Sequence, residues 1–269
     1  MSSKSVPELL REGCTILRRD GILPTVRAGL RVLDLNYQGY WWYLRYLYRK
    51  TCRRNCQVTD PFTVIELPPD RITHHVVDRI DRWDDLGAVR DGDWDQAARP
   101  LDELIKYRSV IDHFENGTPW QETDVYREAI ARVERGESYW NGSLTAADVE
   151  QRTEHVDELY ETLSEEGFKS QAQRHGKPLR EIVLSRTFDR SMEEVAVAIG
   201  RDGEPLFVDG NHRLAIAHVL ELEQIPVHVI ARHERWEAIR EAVRAATNPR
   251  QLDDRITDHF PHPDLEAVL

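Results

Sequence analysis

The sequence is poor in cysteine, in long apolar runs and in recognisable zinc-site spacings. Its three cysteines, Cys14, Cys52 and Cys56, are odd in number, and they predict free thiols in a reducing compartment. No apolar stretch reaches the roughly 18 residues that cross a bilayer, and the first residues do not read as a signal peptide. We therefore expect a cytoplasmic protein. A disulfide framework and a membrane-spanning architecture are not expected.

Basic residues are also scarce, and most of them are arginine. The net charge is −12, and only five of the 36 basic residues are lysine, namely Lys4, Lys50, Lys106, Lys169 and Lys177. Residues 1–56 carry 11 basic and four acidic residues, a net charge of +7, whereas residues 57–269 carry a net charge of −19. The acidic body should repel nucleic acid, so a nucleic-acid partner is not expected. The uneven charge predicts a basic arm with a partner of its own.

The arm, residues 1–56, predicts two or three helices that are basic and aromatic. One face of the last helix is formed by Tyr37, Trp41, Leu44 and Tyr48, with arginines nearby. Such a helix suits the surface of an anionic membrane, which would make the protein peripheral at the membrane. Packing against the body or against a protein partner, and stacking on nucleic acid, stay open as alternatives.

The middle of the chain is mainly helical by its pattern. A strand over Phe62–Leu67 is followed by residues 78–100, which predict a loop with one short helix. In that loop, RDGDWD lacks the spacing of a calcium site and predicts a surface turn held by Trp94. Three helices should follow, ending at Gly117, Gly136 and Gly167. A capping box over Thr145–Asp148 opens the third of them.

After Gly167 the apolar pattern alternates between strand and helix periods. The segment LREIVLSRTF predicts a strand, and MEEVAVAIGRDGEPLFVDG predicts a β-hairpin with Asp202 and Gly203 at its turn. RLAIAHVLEL predicts a helix, IPVHVIARH a buried strand, and HERWEAIREAVRAA a last helix before a tail rich in proline and histidine. The pairs His74-His75 and His259-x-x-His262 have no third ligand at useful spacing, so no metal site is predicted.

Chemically capable residues are concentrated in FVDGNHRLAIAHVL (Phe207–Leu220), between a strand and a helix. The unbonded amides at the start of a helix and its dipole form an anion site that suits phosphate. Gly210 permits a tight approach, and Asn211, His212 and Arg213 add donors. Asp209 could hold a metal ion or accept a proton from a substrate hydroxyl. The alternative is structural: Asp209 and Asn211 cap the helix, and Arg213 pairs with a neighbouring acid.

The segment VDGNHRLAIAHVLELEQIPVHVI resembles the signature of the ParB/sulfiredoxin-like superfamily, in which DG-x-x-R opens a helix and IPV starts the next strand. LYETLSEEGFKSQ and TVIELPPDRI resemble other parts of that family, in the right order, so the resemblance covers about residues 63–72 and 157–232. It implies an α+β fold with a small mixed β-sheet and packed helices. It also implies nucleotide phosphate bound at Gly210–Arg213.

The resemblance suggests a division of the chain into a basic arm (1–56), a ParB-like domain (57–235) with a helical insertion at about 78–145, and a C-terminal helix and tail (236–269). Three departures from the family matter. Asn211 stands where sulfiredoxins have cysteine, and the C-terminal segment is too short for the helix-turn-helix of partitioning proteins. Leu220-Glu221-Leu222 lacks the glycine that usually ends the helix, so a change in the local geometry is expected there.

The function that the resemblance implies is binding of a nucleoside triphosphate or diphosphate with Mg²⁺, with phosphoryl transfer to a small molecule or nucleotide hydrolysis as its concrete form. Asp209 and His212 are the candidate catalytic residues, together with Glu66 as a counterpart of the base used by amino-acid kinases of this fold. Two alternatives stay open. One is a non-catalytic, membrane-associated binding module, and the other is a DNA-binding protein of the ParB type.

Overall fold

The structure, a computed structural model, describes residues 43–51, 58–140, 142–184, 194–246 and 253–266. The chain divides into two compact units, and the described parts of the first are residues 43–51 and 171–184. All other described residues belong to the second unit. The three cysteines and the predicted helices before residue 43 lie outside the described residues.

The first unit is helical wherever it is described. It contains a helical segment at 43–51 and two short helices, Gln171–His175 and Leu179–Val183. Leu44 and Tyr48 are exposed, as an outward-facing pair would be, while Tyr37 and Trp41 lie outside the described residues. No helix in the described part of the chain is long and apolar enough to cross a membrane.

The predicted strand at LREIVLSRTF is wrong over Leu179–Val183, which is helical. Pro178 occupies the position before the helix, where its fixed φ is favourable and its missing N–H has no cost. Leu179 and Ile182 also satisfy a helical spacing, so the apolar pattern is compatible with both structures. Residues 185–193 of that segment lie outside the described residues.

The second unit is built on a mixed, seven-stranded sheet. Its strands are β1 (Val64–Leu67), β2 (His74–His75), β3 (Ala88–Arg90), β4 (Arg99–Pro100), β5 (Val195–Ile199), β6 (Pro205–Asp209) and β7 (Ile225–His233). The order is β1-β7-β5-β6-β2-β4, and β3 also pairs with β7. Three pairs, β5–β7, β3–β7 and β2–β6, are parallel, and the other pairs are antiparallel. The predicted α+β class with a mixed sheet is therefore confirmed.

The two central strands are β5 and β7, in which every residue is buried. Both are rich in Val and Ile, as strands covered on both faces usually are. The predicted hairpin between β5 and β6 is confirmed. Gly203 has a φ of +89° at its turn, and a Cβ at this position would lie 2.6 Å from Cζ3 of Trp236 and collide with the indole ring. The turn is therefore held against the helix that carries Trp236.

Five longer helices accompany the sheet in the described part of this unit. They are α1 (Ile105–Phe114), α2 (Asp124–Glu134), α3 (Ala146–Glu166), α4 (Asn211–Val219) and α5 (Glu234–Ala245). All five are predicted by the apolar periodicity. The capping box is confirmed, because Thr145 Oγ1 accepts from the Asp148 amide and Asp148 accepts from the Thr145 amide. The helix ends at Gly167, as predicted.

The stretch 78–100 contains no helix, so the short helix predicted there is wrong. It forms turns instead, because Asp81 accepts from the amides of Trp83 and Asp84, which favours a turn over a continuing helix. Trp94 is buried, as predicted. Asp95 is buried beside it and accepts hydrogen bonds from the backbone amide and the guanidinium of Arg201. Burial raises the pKa of Asp95, but the bonds from Arg201 outweigh it and lower the pKa to about 2.

The C-terminal segment, predicted only as a tail, forms two further short helices, α6 (Asp254–Thr257) and α7 (Pro263–Glu266). Asp264 is fully buried and accepts from the Arg232 guanidinium and from the Trp236 indole at 2.8 Å. Breaking a buried, hydrogen-bonded pair of this kind usually costs about 3–5 kcal/mol. The tail is therefore joined to β7 and α5 by a buried charge network.

The site predicted at Gly210–Arg213 lies where β6 passes into α4. Helix α1 packs along α4, and α3 also contacts α4. Buried apolar side chains of α1, α3 and α4 share one cluster, which includes Val110, Val149 and Ile216. This packing brings segments that are distant in sequence next to the first turn of α4.

Candidate functional site

The turn between β6 and α4 depends on Gly210. Its φ is +101°, in the left-handed region that glycine tolerates best, and a Cβ there would lie 3.1 Å from the Cα of Val195. No side chain caps the helix that follows. Among the described residues, no group accepts a hydrogen bond from the amides of Asn211 and His212. The start of α4 therefore has the free donors that an anion site requires.

The structural alternative, in which Asp209 and Asn211 cap α4, is not the observed arrangement. Asp209 Oδ1 accepts from the Gly210 amide at 2.8 Å, before the helix begins, and its Oδ2 lies 3.6 Å from Arg82 Nη1. Asp209 nevertheless keeps 49% of its side chain exposed. The buried Oδ1 of Asn211 has no hydrogen-bond partner in the described part of the chain. Neither side chain occupies the amides of the first turn.

Three cationic side chains from three helices converge on this turn. Lys106 belongs to α1, Arg152 to α3 and Arg213 to α4. Burial lowers the pKa of Lys106, the charge of Asp209 opposes that shift, and the charge of Arg152 adds to it. Burial also lowers the pKa of the Arg152 guanidinium. The two cations are thus close enough to repel each other in a partly buried setting.

Neither Lys106 nor Arg152 forms an ion pair with any described residue. Arg152 Nε is buried and has no hydrogen-bond partner there either. Lys106 has only the ring of Tyr139, at 5.7 Å from Nζ to the centroid. A partly buried cation without a counter-ion costs free energy, and two of them side by side cost more. The site has positive charge that the protein itself does not neutralise.

Comparisons with protein-family models, with curated proteins and with solved structures found no match. The site is therefore interpreted from its own geometry.

His212 contacts α3 and the loop before it through both ring nitrogens. The indole Nε1–H of Trp140 donates to Nε2 at 2.9 Å, and Arg152 Nη2 lies 3.3 Å from Nδ1. Burial, followed by the charges of Arg152, Lys106 and Arg213, lowers the pKa of His212 well below its usual range. The imidazole is therefore neutral at physiological pH. Because both of its nitrogens face other groups of the protein, it is poorly placed to accept a proton from a substrate.

Glu66 is not brought to this turn. It lies on β1, an edge strand, where it pairs with Pro226 of β7, and both β7 and β5 separate it from β6. Three strand spacings correspond to about 14 Å between β1 and β6. Its proposed role as a base has no geometric support from contacts with Asp209 or His212.

The paired histidines have structural positions. His262 Nδ1 accepts from the Asp264 amide, so its Nε2–H donates to the Gly203 carbonyl at 2.9 Å. His75 is buried on β2, next to Phe207 of β6. No group of three metal-ligating side chains occurs among the described residues.

Sequence reasoning missed Lys106, Arg152 and Trp140. One signal was present for Lys106, because lysine is rare in this chain and Lys106 is one of only five. Arg152 and Trp140 had no such signal, since arginines are common here and Trp140 lies between two predicted helices. Their roles depend on how α3 and its preceding loop pack beside α4.

Proposed function

We propose that the protein binds the phosphate group of a small molecule, such as a nucleoside triphosphate or diphosphate, at the first turn of α4. The observation that carries the proposal is the convergence of Lys106 and Arg152 without an acidic partner in the described part of the chain. The whole chain has a net charge of −12, so acids to neutralise them were plentiful. Like charges held together in this way are expected at a site whose counter-ion is the ligand.

The chemistry of the donors favours phosphate. Backbone amides at a helix start and a guanidinium fork both match the tetrahedral oxygens of a phosphate group. Lys106 adds a compact charge, and Arg213 adds a second guanidinium on α4. The resemblance of Val208–Ile230 to the ParB/sulfiredoxin-like superfamily supports the same ligand, and membership of that superfamily stays a prediction.

Mg²⁺ would be compatible with these residues. This ion usually needs only one or two carboxylates when phosphate oxygens and water complete its shell. Asp209, half-exposed at the end of β6, would supply the carboxylate, and the remaining ligands would come from the phosphate and water. When bound, the ion would neutralise charge on the phosphate.

Phosphoryl transfer or hydrolysis stays a prediction that is weaker than binding. Asp209 is the candidate that retains solvent exposure and could accept a proton, although Oδ1 already accepts from Gly210. The proposal gives His212 the role of a hydrogen-bond donor and does not use Glu66. The remaining alternatives also stay predictions: membrane contact through residues 1–56, and DNA binding, which the −19 of residues 57–269 disfavours.

Thermal unfolding with a ligand panel tests the proposal. Inorganic phosphate, pyrophosphate and nucleotides, each with and without Mg²⁺, should raise the melting temperature, because a ligand that binds only the native state stabilises it. Lys106→Gln and Arg152→Gln should each weaken binding by about ten- to a hundredfold, the usual cost of losing a hydrogen bond to a charged group. Without ligand, Arg152→Gln should unfold at the same temperature as the wild type or higher, since it relieves repulsion.

The controls are two cations that already have partners. Lys169→Gln loses an exposed pair with Glu166, and Arg132→Gln loses a pair with Glu128, so neither should change ligand affinity. If no phosphate compound raises the melting temperature, the proposal is wrong. It is also wrong if Arg152→Gln destabilises the ligand-free protein strongly while ligand affinity stays unchanged.

A further inference from the structure

The contacts of His212 contain one hydrogen-bond donor too many. An indole N–H and a guanidinium can only donate, and a neutral imidazole can accept at one of its two nitrogens. Trp140 Nε1 lies 2.9 Å from Nε2, and Arg152 Nη2 lies 3.3 Å from Nδ1. Because burial and the neighbouring cations hold the pKa of the ring low, His212 carries a single ring proton. One of its two contacts therefore sets a donor against a donor.

The contact with Trp140 is the fixed one. Trp140 is 2% exposed and packs against Trp120, with ring centroids 6.0 Å apart. Its backbone has a φ of +45°, which is strained for a bulky residue, and such strain persists only where the surroundings hold the residue in place. A donor–donor contact at 2.9 Å would be repulsive, so Nε2 accepts from the indole and the ring proton lies on Nδ1.

The contact with Arg152 is then the one that lacks an acceptor. Its distance of 3.3 Å is longer, and Arg152 Nε is buried without a partner among the described residues. Two donors, Nδ1–H and the guanidinium, thus face each other beside the unbonded amides of α4. A single oxygen that carries negative charge and lies between them would accept from both.

We infer that Trp140 is a positioning residue, which holds His212 as the Nδ1–H tautomer so that Nδ1–H and Arg152 donate to one oxygen of the bound anion. The inference rests on the proposed function for the identity of that anion as a phosphate. It gives His212 a role as a neutral donor. It also gives the loop before α3 a direct part in recognition, although that loop lies some 70 residues from the turn in sequence.

The tautomer can be measured on the full chain by ¹⁵N NMR of the histidine rings, which distinguishes a protonated from an unprotonated Nδ1. The wild type should have the proton on His212 Nδ1 at neutral pH. Trp140→Phe should release that constraint, move the proton towards Nε2, and weaken the binding of inorganic phosphate by about tenfold, the effect of one charge-assisted hydrogen bond. Trp120→Phe is the matched control, because its indole donates to Asp157 within the same aromatic cluster.

Two substitutions of His212 provide a second measurement that does not depend on Trp140. An asparagine amide nitrogen lies close to the position of Nδ1, whereas that of glutamine lies close to Nε2. His212→Asn should therefore retain phosphate affinity within a fewfold, and His212→Gln should lose about tenfold.

Failure of this inference and failure of the proposed function give different results. If the wild type binds phosphate but carries the ring proton on Nε2, or if Trp140→Phe changes neither the tautomer nor the affinity, the positioning role is overturned and phosphate binding stands. If Nδ1 is protonated as expected but no phosphate compound binds, the proposed function fails, and with it the assignment of the missing acceptor.

Discussion

At the scale of single residues, the chain contains two Asp-Gly pairs with nearly the same local geometry. In both, the glycine has a positive φ, +101° for Gly210 and +91° for Gly92. Its amide donates to the aspartate Oδ1 before it, at 2.8 Å for Gly210 and 2.7 Å for Gly92. They differ in their surroundings. A Cβ on Gly210 would lie 3.1 Å from Val195 Cα, whereas one on Gly92 would meet nothing within 4 Å.

We expect Gly210→Ala to lower the free energy of unfolding by more than Gly92→Ala does. Both substitutions place an alanine in the left-handed region, which costs about 1–2 kcal/mol. Only the first also forces β5 and β6 to move apart, so the difference between the two variants measures the close approach to Val195. Urea unfolding of both variants gives this difference directly. Equal losses would contradict the geometry of the β6–α4 turn.

At the scale of elements, α4 ends in the geometry of a glycine-capped helix, but without the glycine. The Glu221 amide donates to the His218 carbonyl and the Leu222 amide to the Ala217 carbonyl, a pattern that requires a left-handed residue after the helix. Glu221 takes that position with a φ of +50°. The change in local geometry that the missing glycine predicts is therefore wrong, because Glu221 accepts the strain and the turn is kept.

Replacement of Glu221 by glycine should stabilise the protein by about 0.5–1 kcal/mol. Relief of the left-handed strain contributes about 1–2 kcal/mol, and the greater freedom of glycine in the unfolded chain offsets about 0.4–1 kcal/mol of it. Thermal or urea unfolding would detect the gain. Glu223→Gly, on the same exposed turn but without a positive φ, should give no gain. A loss of stability in Glu221→Gly would show that the helix end is held by other interactions.

At the scale of the whole molecule, several histidines are kept neutral by burial. His228 is the clearest case: burial, together with the charge of Arg82, lowers its pKa to about 3, while its Nε2–H donates to the Pro61 carbonyl at 2.7 Å. Burial also lowers the pKa of His212, His218 and His262. The unfolded chain takes up protons on these rings below about pH 6.5, before the folded chain does. Histidine-linked stability is therefore present at neutral pH and is lost as the pH falls.

His228→Gln should reduce this pH dependence. Between pH 7 and pH 5 a histidine with so low a folded pKa contributes a loss of about 2 kcal/mol, so the variant's stability should fall by about 2 kcal/mol less than that of the wild type. Glutamine can keep a donor near Pro61, which limits the loss at pH 7. Urea unfolding at both pH values measures the difference, with the exposed His155→Gln as a control that should behave as the wild type. An unchanged pH dependence in His228→Gln would mean that other groups dominate it.

The sequence determined the parts of this protein in which a single run of residues is sufficient. The nine residues of β7, the capping box of α3, the hairpin turn at Gly203 and the donors of Gly210–Arg213 could be predicted, because each depends on local periodicity or on adjacent residues. The prediction for Leu179–Val183 is wrong for the same reason, since a short apolar pattern fits a strand and a helix equally well.

Only the tertiary structure decided which distant side chains complete the site. Lys106, Trp140 and Arg152 reach the first turn of α4 because α1 and α3 pack around it, and helix packing is set by the shapes of whole faces. That packing placed cations without acidic partners in the described part of the chain beside free amides, and the strand order kept Glu66 away from them. The turn is local in sequence, whereas its charge and its hydrogen-bond balance arise from contacts between elements.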